Sequence, residues 1–458
     1  MAAAQKKRSL WNFADRFEGD KVVWIIVMML ILLSIVCIFS STSQLLKDGQ
    51  TRLDMVRNQL LIVVIGLGFI VICYNIKSIS FFRNLSKLGF PLCLLLLGIL
   101  DLHLDLGPVR AIEINKAWRI IQIPGLQIHV FEVVKVAMVM YLSWAVDAFN
   151  KNELKGPVKP VWQKVLYIYG PALLTMILII PGSNSSALFI GGIMFITILL
   201  GGGSAKDLCM LLAAAIVLLG LCFGAYKISG GKVMGRIGTA VSRVFDDTDN
   251  EAIFLDPNST AEQKREAIDA IRQPYSARIA VKEGGLLGKG PGQSTQRYKV
   301  PDYSEDYMYS FIIEEYGLVG GIIVLCLYVS LLARASIIVR NCGKDTYAKL
   351  VVAGLSILIT GQAFLHMFVN AEIGPMTGQT LPLISHGNSA FICFSIAFGI
   401  ILSFSRIAST RIEREAMGAE PLVEFRQTPV EEAPRSDDPL YDGINDLYDI
   451  DNTSDYGI

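Results

Sequence analysis

The residues best suited to chemistry are carboxylates at the start of an apolar run, YSEDYMYSFIIEEYGL, from Tyr303 to Leu318. Asp306 has two readings. It caps the following helix, since acids are favourable at a helix N-terminus, or it is a general base whose pKa is raised beside a membrane. Asp302 and Glu305 compete for the catalytic role. Both readings predict a helix over the apolar residues that follow.

Two further acids, Glu314 and Glu315, lie about two turns into that predicted helix. Acids inside a membrane are costly and are candidates for function. Because neighbouring residues of a helix point to different faces, we expect at most one of them to face a shared cavity. The alternative is that the membrane span begins later and leaves both at the headgroup level.

Glu132 and Lys135 stand three residues apart in another apolar run, so they share a helix face and can pair. Such a pair either lines a polar cavity or locks two helices together. His129 and His366 are single histidines near the ends of apolar runs. No second ligand has metal-site spacing, so these histidines are expected to be hydrogen-bonding residues.

A glycine-rich strip, GGLLGKGPG, spans Gly284 to Gly292. It lacks the strand, helix and GK[ST] ending of a nucleotide-binding loop. Its glycines allow a close backbone approach, and Lys289, Arg278 and Arg297 are cations that can meet a pyrophosphate. The alternative is an ordinary solvated basic loop.

The segment GPMTGQTLPLISHGNSAF, from Gly374 to Phe391, is rich in Gly, Pro, Ser and Thr and contains no Lys or Arg. It lies between two apolar runs. Irregular backbone at membrane depth is tolerated only where protein or a wet cavity satisfies it. The composition therefore predicts a re-entrant or interfacial segment that lines a site.

The elements that position these residues are membrane helices. The chain has 458 residues, of which 52% are hydrophobic and 18% charged, and runs of 18 or more apolar residues recur. This composition predicts an all-α polytopic membrane protein. The net charge of zero gives no reason to expect nucleic acid. The eight cysteines lie mostly in apolar runs and form no CxxC metal pattern.

Apolar length predicts about ten membrane spans, with both termini in the cytoplasm because Lys and Arg cluster in alternate loops. We predict the spans near Val22–Ser40, Gln59–Ile76, Leu88–Leu104, Ile128–Phe149, Val165–Pro181, Ser185–Gly202, Leu208–Ile228, Tyr309–Ala333, Leu350–Asn370 and Ser389–Ile407.

The predicted domain organisation is a cytoplasmic N-terminus over residues 1–21, a transmembrane domain over 22–408 and a disordered acidic cytoplasmic tail over 409–458. One large extracytoplasmic loop, residues 229–308, joins the seventh and eighth spans. It is expected to hold a helix over Thr260–Ile271 with a capping box from Ser259 and Glu262. The tail repeats the letters LYD, which are a partner-binding motif or part of a solubilising tail.

Taken together, these motifs resemble the SEDS glycosyltransferases (shape, elongation, division and sporulation), the family of FtsW and RodA, and within that family the chain looks more like FtsW. The block NKAWRIIQIPGLQIHVFEVVKVAM places Trp118, Arg119, Glu132 and Lys135 in register with the family, although Phe131 departs from it. In the block GGLLGKGPGQSTQRYKVPDYSEDYMYSFIIEEYGL, Asp306 falls on the family's catalytic aspartate and Glu314–Glu315 on its acidic pair.

The Gly374–Phe391 segment carries a third block, with His386 and Asn388 as departures. The matching positions are Asn370, Pro375, Thr377, Gly378, Leu381, Pro382, Ser385, Gly387 and Ser389. A fourth, weaker block is PGSNSSAL from Pro181, where Ser183 stands in place of the family's acid.

The resemblance implies an inverting peptidoglycan glycosyltransferase that polymerises lipid II at the outer face of the cytoplasmic (inner) membrane. Asp306 would be the catalytic base, and the leaving diphosphate would be stabilised by cations or by a divalent metal, Mg or Mn. Substrate or pyrophosphate-binding candidates are Arg119, Glu132, Lys135, Lys289, Glu314, Glu315, Asn370, Thr377, Pro382, Ser385, Gly387 and Ser389.

The resemblance also implies partners: a single-pass class B penicillin-binding protein transpeptidase and other proteins of the division complex, at the division septum. The alternatives are an elongation polymerase of the RodA type, a transporter that flips lipid II, and a scaffold for the transpeptidase without catalysis. Transport would need alternating access.

Overall fold

The computed structural model describes residues 18–41, 52–114, 117–124, 126–156, 159–203, 250–298, 303–374 and 377–418, with residues 206, 213, 217, 220 and 224 between them. Most of the predicted seventh span Leu208–Ile228, the first 17 residues, Asp302, Pro375 and the tail beyond Gly418 lie outside this set.

The described part is mainly helical. Its helices are α1 (Lys21–Ser41), α2 (Arg52–Asn75), α3 (Ile79–Ser86), α4 (Gly89–Asp101), α5 (Val130–Asn150), α6 (Pro160–Lys164), α7 (Gly170–Ile179), α8 (Asn184–Leu200), α9 (Asn250–Leu255), α10 (Ala261–Gly284), α11 (Tyr303–Asp306), α12 (Met308–Asn341), α13 (Thr346–Asn370) and α14 (Asn388–Ala416). A π-helical stretch, Val165–Tyr169, joins α6 to α7, and a 3₁₀ turn covers Gln296–Tyr298.

The chain is a polytopic membrane protein. Seven segments are long and apolar enough to cross a membrane by length and composition; they are Lys21–Ser41, Val56–Asn75, Ile79–Asp101, Pro160–Ile179, Met308–Asn341, Thr346–Asn370 and Asn388–Ala416. In addition, α8 is a shorter apolar helix, and α5 has 21 residues interrupted by Glu132, Lys135 and Asp147. The total of ten spans stays a prediction.

A small antiparallel sheet, which the helical interpretation missed, precedes α5. Its strands β1 (Arg110–Ile114), β2 (Ala117–Ile123) and β3 (Leu126–His129) lie in the order β1–β2–β3. Leu126 pairs with Ile123 and His129 with Ile120. Residues 110–129 are rich in Ile, which is typical of strands, and Ala117, Ile120 and Ile121 of β2 are buried. The sheet places Arg119 and His129 at the end of the bundle where α5 begins.

Ion pairs join three helices at one end of the bundle. At one end Arg334 binds Asp20 at 2.6 Å, and Arg406 binds Glu18 at 2.6 Å. These contacts bring the start of α1 beside α12 and α14. The helix α14 continues to Ala416, so the predicted boundary at residue 408 falls inside a helix.

The helix α10 in the large loop starts one residue later than the predicted capping box. Thr260, not Ser259, is the N-cap: its hydroxyl accepts from Gln263 N at 3.2 Å, and Gln263 Oε1 accepts from Thr260 N at 2.9 Å. The helix runs on to Gly284, well beyond the predicted end at Ile271. It packs along α12.

The helix α12 is broken at Gly317, where φ is +71° and ψ is −176°. The strip that follows α10 bridges the break. Lys289 N and Gly290 N donate to the carbonyls of Glu314 and Glu315, while Leu318 N and Val319 N donate to Gly285 and Leu286. Hydrogen bonds to the strip thus replace helical hydrogen bonds on both sides of Gly317. The two backbones approach closely, because Gly284, Gly288 and Gly317 have no Cβ atom at the points of contact.

Candidate functional site

Asp306 is the last residue of the single-turn helix α11, immediately before α12. Its side chain is partly exposed and faces Gly378, where a Cβ atom would lie 3.8 Å from Asp306 Oδ2. Gly378 has a φ of +61°, which a glycine adopts without strain. The structure therefore places Asp306 against the Gly374–Phe391 segment.

The helix α12 is capped by α13. Its N-cap residue, Tyr307, makes no side-chain cap bond. Instead, Tyr309 N donates to His366 Nε2 at 3.3 Å, and Ser310 N donates to Asn370 Oδ1 at 2.9 Å. His366 and Asn370 lie four residues apart on one helix face, so they reach successive N–H groups. Tyr307 is therefore the N-cap residue of α12, and two of the N–H groups in the first turn are bound by α13.

His366 is a neutral hydrogen-bonding residue, as expected from the sequence. Its Nδ1 lies 2.6 Å from the carbonyl oxygen of Gln379, which can only accept, so Nδ1 carries the proton. Its Nε2 accepts from Tyr309 N. Both ring nitrogens are thus used in linking α12, α13 and the Gly374–Phe391 segment.

The turn before α12 is held by three successive carbonyl groups. Ser304 O accepts from His386 N at 3.0 Å, Glu305 O accepts from Ser385 Oγ at 2.8 Å, and Asp306 O accepts from Asn370 Nδ2 at 3.1 Å. His386 Nδ1 also lies 3.3 Å from Glu305 Oε1. We call these contacts the carbonyl clamp. They fix the backbone that presents Asp306, and they need no contribution from its carboxylate.

The described part of the Gly374–Phe391 segment is irregular up to Gly387 and packed in protein, whereas its re-entrant or interfacial position stays a prediction. Leu381, Leu383 and Ile384 are buried, and Leu383 has a φ of +60°. Four of the segment's groups accept hydrogen bonds from distant elements. Thr377 O accepts from Ser185 Oγ, Pro382 O from Tyr328 OH, Ile384 O from Ser34 Oγ, and Ser389 Oγ from His129 N.

Ser183 explains how the fourth sequence block tolerates its missing acid. Its hydroxyl caps α8 by accepting from Ser186 N at 3.3 Å. Serine and aspartate are both good N-cap residues, so the change keeps the local function. Ser186 Oγ in turn accepts from Gln379 Nε2 at 3.1 Å. The block therefore supports the Gly374–Phe391 segment.

Glu132 and Lys135 form the predicted pair within α5, with Lys135 Nζ 2.7 Å from Glu132 Oε1. Two further acceptors, Gln362 Oε1 at 2.6 Å and Gln379 Oε1 at 2.9 Å, complete the surroundings of the ammonium group. This geometry fits the interpretation that the pair locks two helices together, whereas a polar cavity lined by the pair stays a prediction. The pair ties α5 to α13, and it lies beside the segment that Asp306 faces.

The acids Glu314 and Glu315 bind the strip between α10 and α11 rather than a shared cavity. Glu314 accepts from Lys289 Nζ at 2.9 Å and from Thr295 N at 2.8 Å. Glu315 accepts from Ser40 Oγ at 2.6 Å, at the end of α1. Both side chains are fully buried, and the expectation that at most one of them faces a shared cavity stays a prediction.

Lys289 is fully engaged in this strip. It binds the carboxylates of Glu283 and Glu314 and donates to Thr295 Oγ1. Burial alone would lower the pKa of Lys289, but the hydrogen bonds to the two carboxylates outweigh it and raise the pKa. The charge of Lys289 is therefore balanced inside the loop, which does not favour a role in binding diphosphate.

Arg119 is the cation of the predicted set that stands on β2. Its Nε donates to Gly182 O at 3.0 Å, which joins the sheet to the start of α8. Its charge acts on the imidazole of His129, as do the charges of Glu132 and Glu305. Arg119 thus belongs to the polar surroundings of Asp306.

An apolar groove of about 310 Å³ lies between α4, α5 and α14. It runs from Leu88 to Ser389, and Ser389 is the residue bound to His129. Its other walls include Leu92, Val133 and Cys393. The groove therefore extends along the membrane-spanning helices and ends at the polar surroundings of Asp306.

The residues that sequence reasoning missed are Gln362, Gln379 and Ser310. Each is polar within or beside an apolar helix and buried, and each binds a residue that was predicted. A polar side chain at membrane depth is the signal that could have identified them. The described residues contain no group of three His, Cys, Asp or Glu side chains that could hold a metal ion.

Known proteins are similar to this chain in sequence and in fold. Residues 20–410 match the model of the FtsW/RodA/SpoVE family, described as cell cycle proteins. The "Probable peptidoglycan glycosyltransferase FtsW" of Enterococcus hirae is 26% identical over 396 residues, covering 85% of this chain and 93% of the relative. The protein of the same name from Coxiella burnetii is 28% identical, covering 68% and 76%.

Two solved structures have the same fold. A chain from a study of the structural coordination of polymerization and crosslinking by a peptidoglycan synthase complex has a TM-score of 0.58 at 21% identity, covering 85% of this chain and 98% of that one. The rod shape determining protein RodA of Thermus thermophilus has a TM-score of 0.53 at 20% identity, covering 85% and 97%. The family match extends over most of the chain, and the chain is a member of the FtsW/RodA/SpoVE family of cell cycle proteins.

Proposed function

We propose that this chain is a peptidoglycan glycosyltransferase of the FtsW type that polymerises lipid II, with Asp306 as its base. The observation that carries the proposal is the presentation of Asp306. Its turn is held by the carbonyl clamp, and its carboxylate faces the Gly374–Phe391 segment. The names of the FtsW relatives support the activity.

In the proposed reaction, the Asp306 carboxylate takes the proton of the C4 hydroxyl of the acceptor sugar. The oxygen then forms a bond to the anomeric carbon of the donor, and the bond from that carbon to the diphosphate oxygen breaks. Undecaprenyl pyrophosphate leaves with the electron pair, and the configuration inverts. One positioned base suffices, because the diphosphate leaves as an anion and needs no second residue to protonate it.

The surroundings suit a lipid-linked substrate. The apolar groove accepts part of the lipid chain, since its walls are almost entirely hydrocarbon. Its end at Ser389 directs the headgroup towards Asp306. Of the three predicted cations, Lys135 and Lys289 are surrounded by acceptors of the protein. Neither lysine is therefore assigned to the diphosphate, and Arg119 stays the cation that the family resemblance offers for it.

A divalent cation, Mg or Mn, stays a proposal. The described residues hold no three-residue metal cluster. Magnesium is commonly held by one or two carboxylates and the phosphates of a substrate, so Asp306 or Glu305 would share such an ion with the diphosphate. It would supply positive charge to the leaving group. The proton transfer to Asp306 does not depend on it.

The proposed setting is the division septum, at the outer face of the inner membrane. A single-pass class B penicillin-binding protein is the proposed partner, because a structural relative comes from a complex that couples polymerization with crosslinking. Other proteins of the division complex are expected to join it. The elongation role of RodA is the second candidate, supported by the shared fold.

The test is to purify the chain with its transpeptidase, supply labelled lipid II and separate the glycan strands on a gel. We expect polymer from the wild type and none from Asp306→Asn, with the complex intact in both. Asp147→Asn, at the far end of α5, is the matched control and should still polymerise. Polymer from Asp306→Asn would move the base to another carboxylate. Lipid II transport without polymer from either chain would support the flippase alternative instead.

A further inference from the structure

The ammonium group of Lys135 has no donor left for a ligand. An ammonium carries three N–H donors, and Lys135 Nζ has three oxygen acceptors, on Glu132, Gln362 and Gln379, at 2.7, 2.6 and 2.9 Å. The side chain is 1% exposed. Binding a phosphate would require breaking one of these buried hydrogen bonds. The pair with Glu132 also has no net charge, so it gives an anion little attraction.

Glu132 is only half satisfied. Its Oε1 accepts from Lys135, whereas its Oε2 is shielded from solvent and accepts no hydrogen bond. Burying an acceptor without a donor is unfavourable, and more so for an ionised group. Lys135 cannot serve both oxygens, because Gln362 and Gln379 hold its other two donors. The missing partner of Oε2 must be a hydrogen-bond donor.

Glu132 stands where a substrate headgroup would arrive. It lies in the first turn of α5, three residues after His129, which binds Ser389 at the end of the apolar groove. Its charge acts both on His129 and on the thiol of Cys393, which lines the groove. The carboxylate is therefore positioned between the groove and the polar surroundings of Asp306.

A second polar atom in the same network lacks a partner. The hydroxyl of Thr377 is buried without a hydrogen bond, although its carbonyl binds Ser185. Thr377 is two residues from Gln379, which shares the Lys135 ammonium with Glu132. A carboxylate oxygen and a hydroxyl together suit an uncharged ligand that has both donors and acceptors.

We propose that Glu132 binds the saccharide of the substrate and that Lys135 is a positioning residue. Glu132 Oε2 accepts a hydrogen bond from an uncharged N–H or O–H donor of the sugar, while Lys135 holds Oε1 and neutralises the carboxylate. The diphosphate is bound elsewhere. This inference rests on the proposed function, and it assigns different parts of the same lipid-linked substrate to different residues.

The test measures binding without turnover, in full-length protein carrying Asp306→Asn. Two probes are compared: lipid II, and undecaprenyl pyrophosphate, which has the diphosphate and lipid but no sugar. Glu132→Gln and Lys135→Met are added singly to this background. Asp147→Asn is the matched control, since it removes a buried carboxylate from the far end of the same helix, where Arg83 and Lys151 pair with it. Thermal unfolding checks that each protein is folded.

We expect Glu132→Gln to weaken lipid II binding by about tenfold or more, because the amide turns its oxygen to Lys135 and presents a donor to the sugar. Lys135→Met should weaken lipid II binding as well. Neither should change the affinity for undecaprenyl pyrophosphate, and Asp147→Asn should change neither affinity.

Equal weakening of both probes by Lys135→Met would overturn the inference and return the diphosphate to Lys135. Unchanged lipid II binding in Glu132→Gln would overturn it too. If Glu132→Gln does not fold, the two affinities of the Asp306→Asn protein are compared instead. Equal affinity for lipid II and undecaprenyl pyrophosphate would mean that the sugar contributes nothing to binding, and would overturn the inference. Failure of both probes to bind would refute the proposed function, and the inference with it.

Discussion

Asn370→Ala tests whether α13 holds the turn that carries Asp306. Asn370 is 1% exposed. Its Nδ2 donates to the carbonyls of Asp306 and His366, and its Oδ1 accepts from the N–H and hydroxyl of Ser310. Alanine leaves the buried N–H of Ser310 without an acceptor, and the Ser310 hydroxyl keeps only its longer contact of 3.4 Å to the backbone carbonyl of residue 370; an unpaired buried group costs about 1–3 kcal/mol. We expect the free energy of unfolding to fall by about 2–4 kcal/mol.

The catalytic effect should be larger than the effect on substrate binding. Without Nδ2, the carbonyl of Asp306 loses one of the three anchors of its turn. Displacing a catalytic group by about 1 Å costs on the order of 100-fold in rate. We therefore expect kcat for glycan polymerisation to fall on the order of 100-fold, with KM little changed, at a temperature where the variant stays folded.

Ser356→Ala is the matched control for Asn370→Ala. Ser356 lies on the same helix and is fully buried, but its hydroxyl has no hydrogen-bond partner, so its removal should be nearly neutral in rate and stability. A normal kcat in Asn370→Ala, together with a loss of stability, would show that the clamp holds the fold and does not position the base. If Asn370→Ala is as stable as Ser356→Ala, the hydrogen bonds of Asn370 do not stabilise the fold as we expect.

Two other changes test the strip that bridges α12. Gly317→Ala should lower thermal stability and polymerisation, since a Cβ atom would lie 2.2 Å from Leu286 O and a positive φ costs about 1–3 kcal/mol in other residues. Gly192→Ala in α8, where the added Cβ meets nothing within 4 Å, should be neutral, and equal melting temperatures for the two would contradict this reasoning. Glu315→Ala removes the acceptor of Ser40 Oγ and Ser294 N, so limited trypsin digestion should cleave after Arg297 faster than in the wild type; an unchanged digestion rate would mean that other contacts hold the strip.

The membrane helices could be predicted because the length of each apolar run matches the thickness of the hydrocarbon core. The predicted spans at Val22–Ser40 and Leu350–Asn370 differ from α1 and α13 by only a few residues at each end. The antiparallel sheet was missed because its strands are short and lie next to an apolar helix, where the two periodicities merge. The break at Gly317 was missed as well, since a single glycine in an apolar run does not reveal its φ.

The sequence identified residues of the candidate site, but it predicted their roles only in part. Asp306, Glu132 and Lys135 were identified from their types and from the resemblance. Two N–H groups in the first turn of α12 are bound by His366 and Asn370, on a helix about 60 residues away in the chain. Pairings at such separation leave no local pattern. Glu314 and Glu315 likewise bind a strip whose path depends on the tertiary fold.

The break at Gly317 has a mechanical consequence for Asp306. The piece of α12 from Met308 to Tyr316 is a rod of about 13 Å. One end carries the clamped turn of Asp306, and the other is bonded through Glu314 and Glu315 to the strip from the large loop. The large loop and the turn of Asp306 are therefore attached to opposite ends of one short helical piece, and Gly317 separates that piece from the rest of α12.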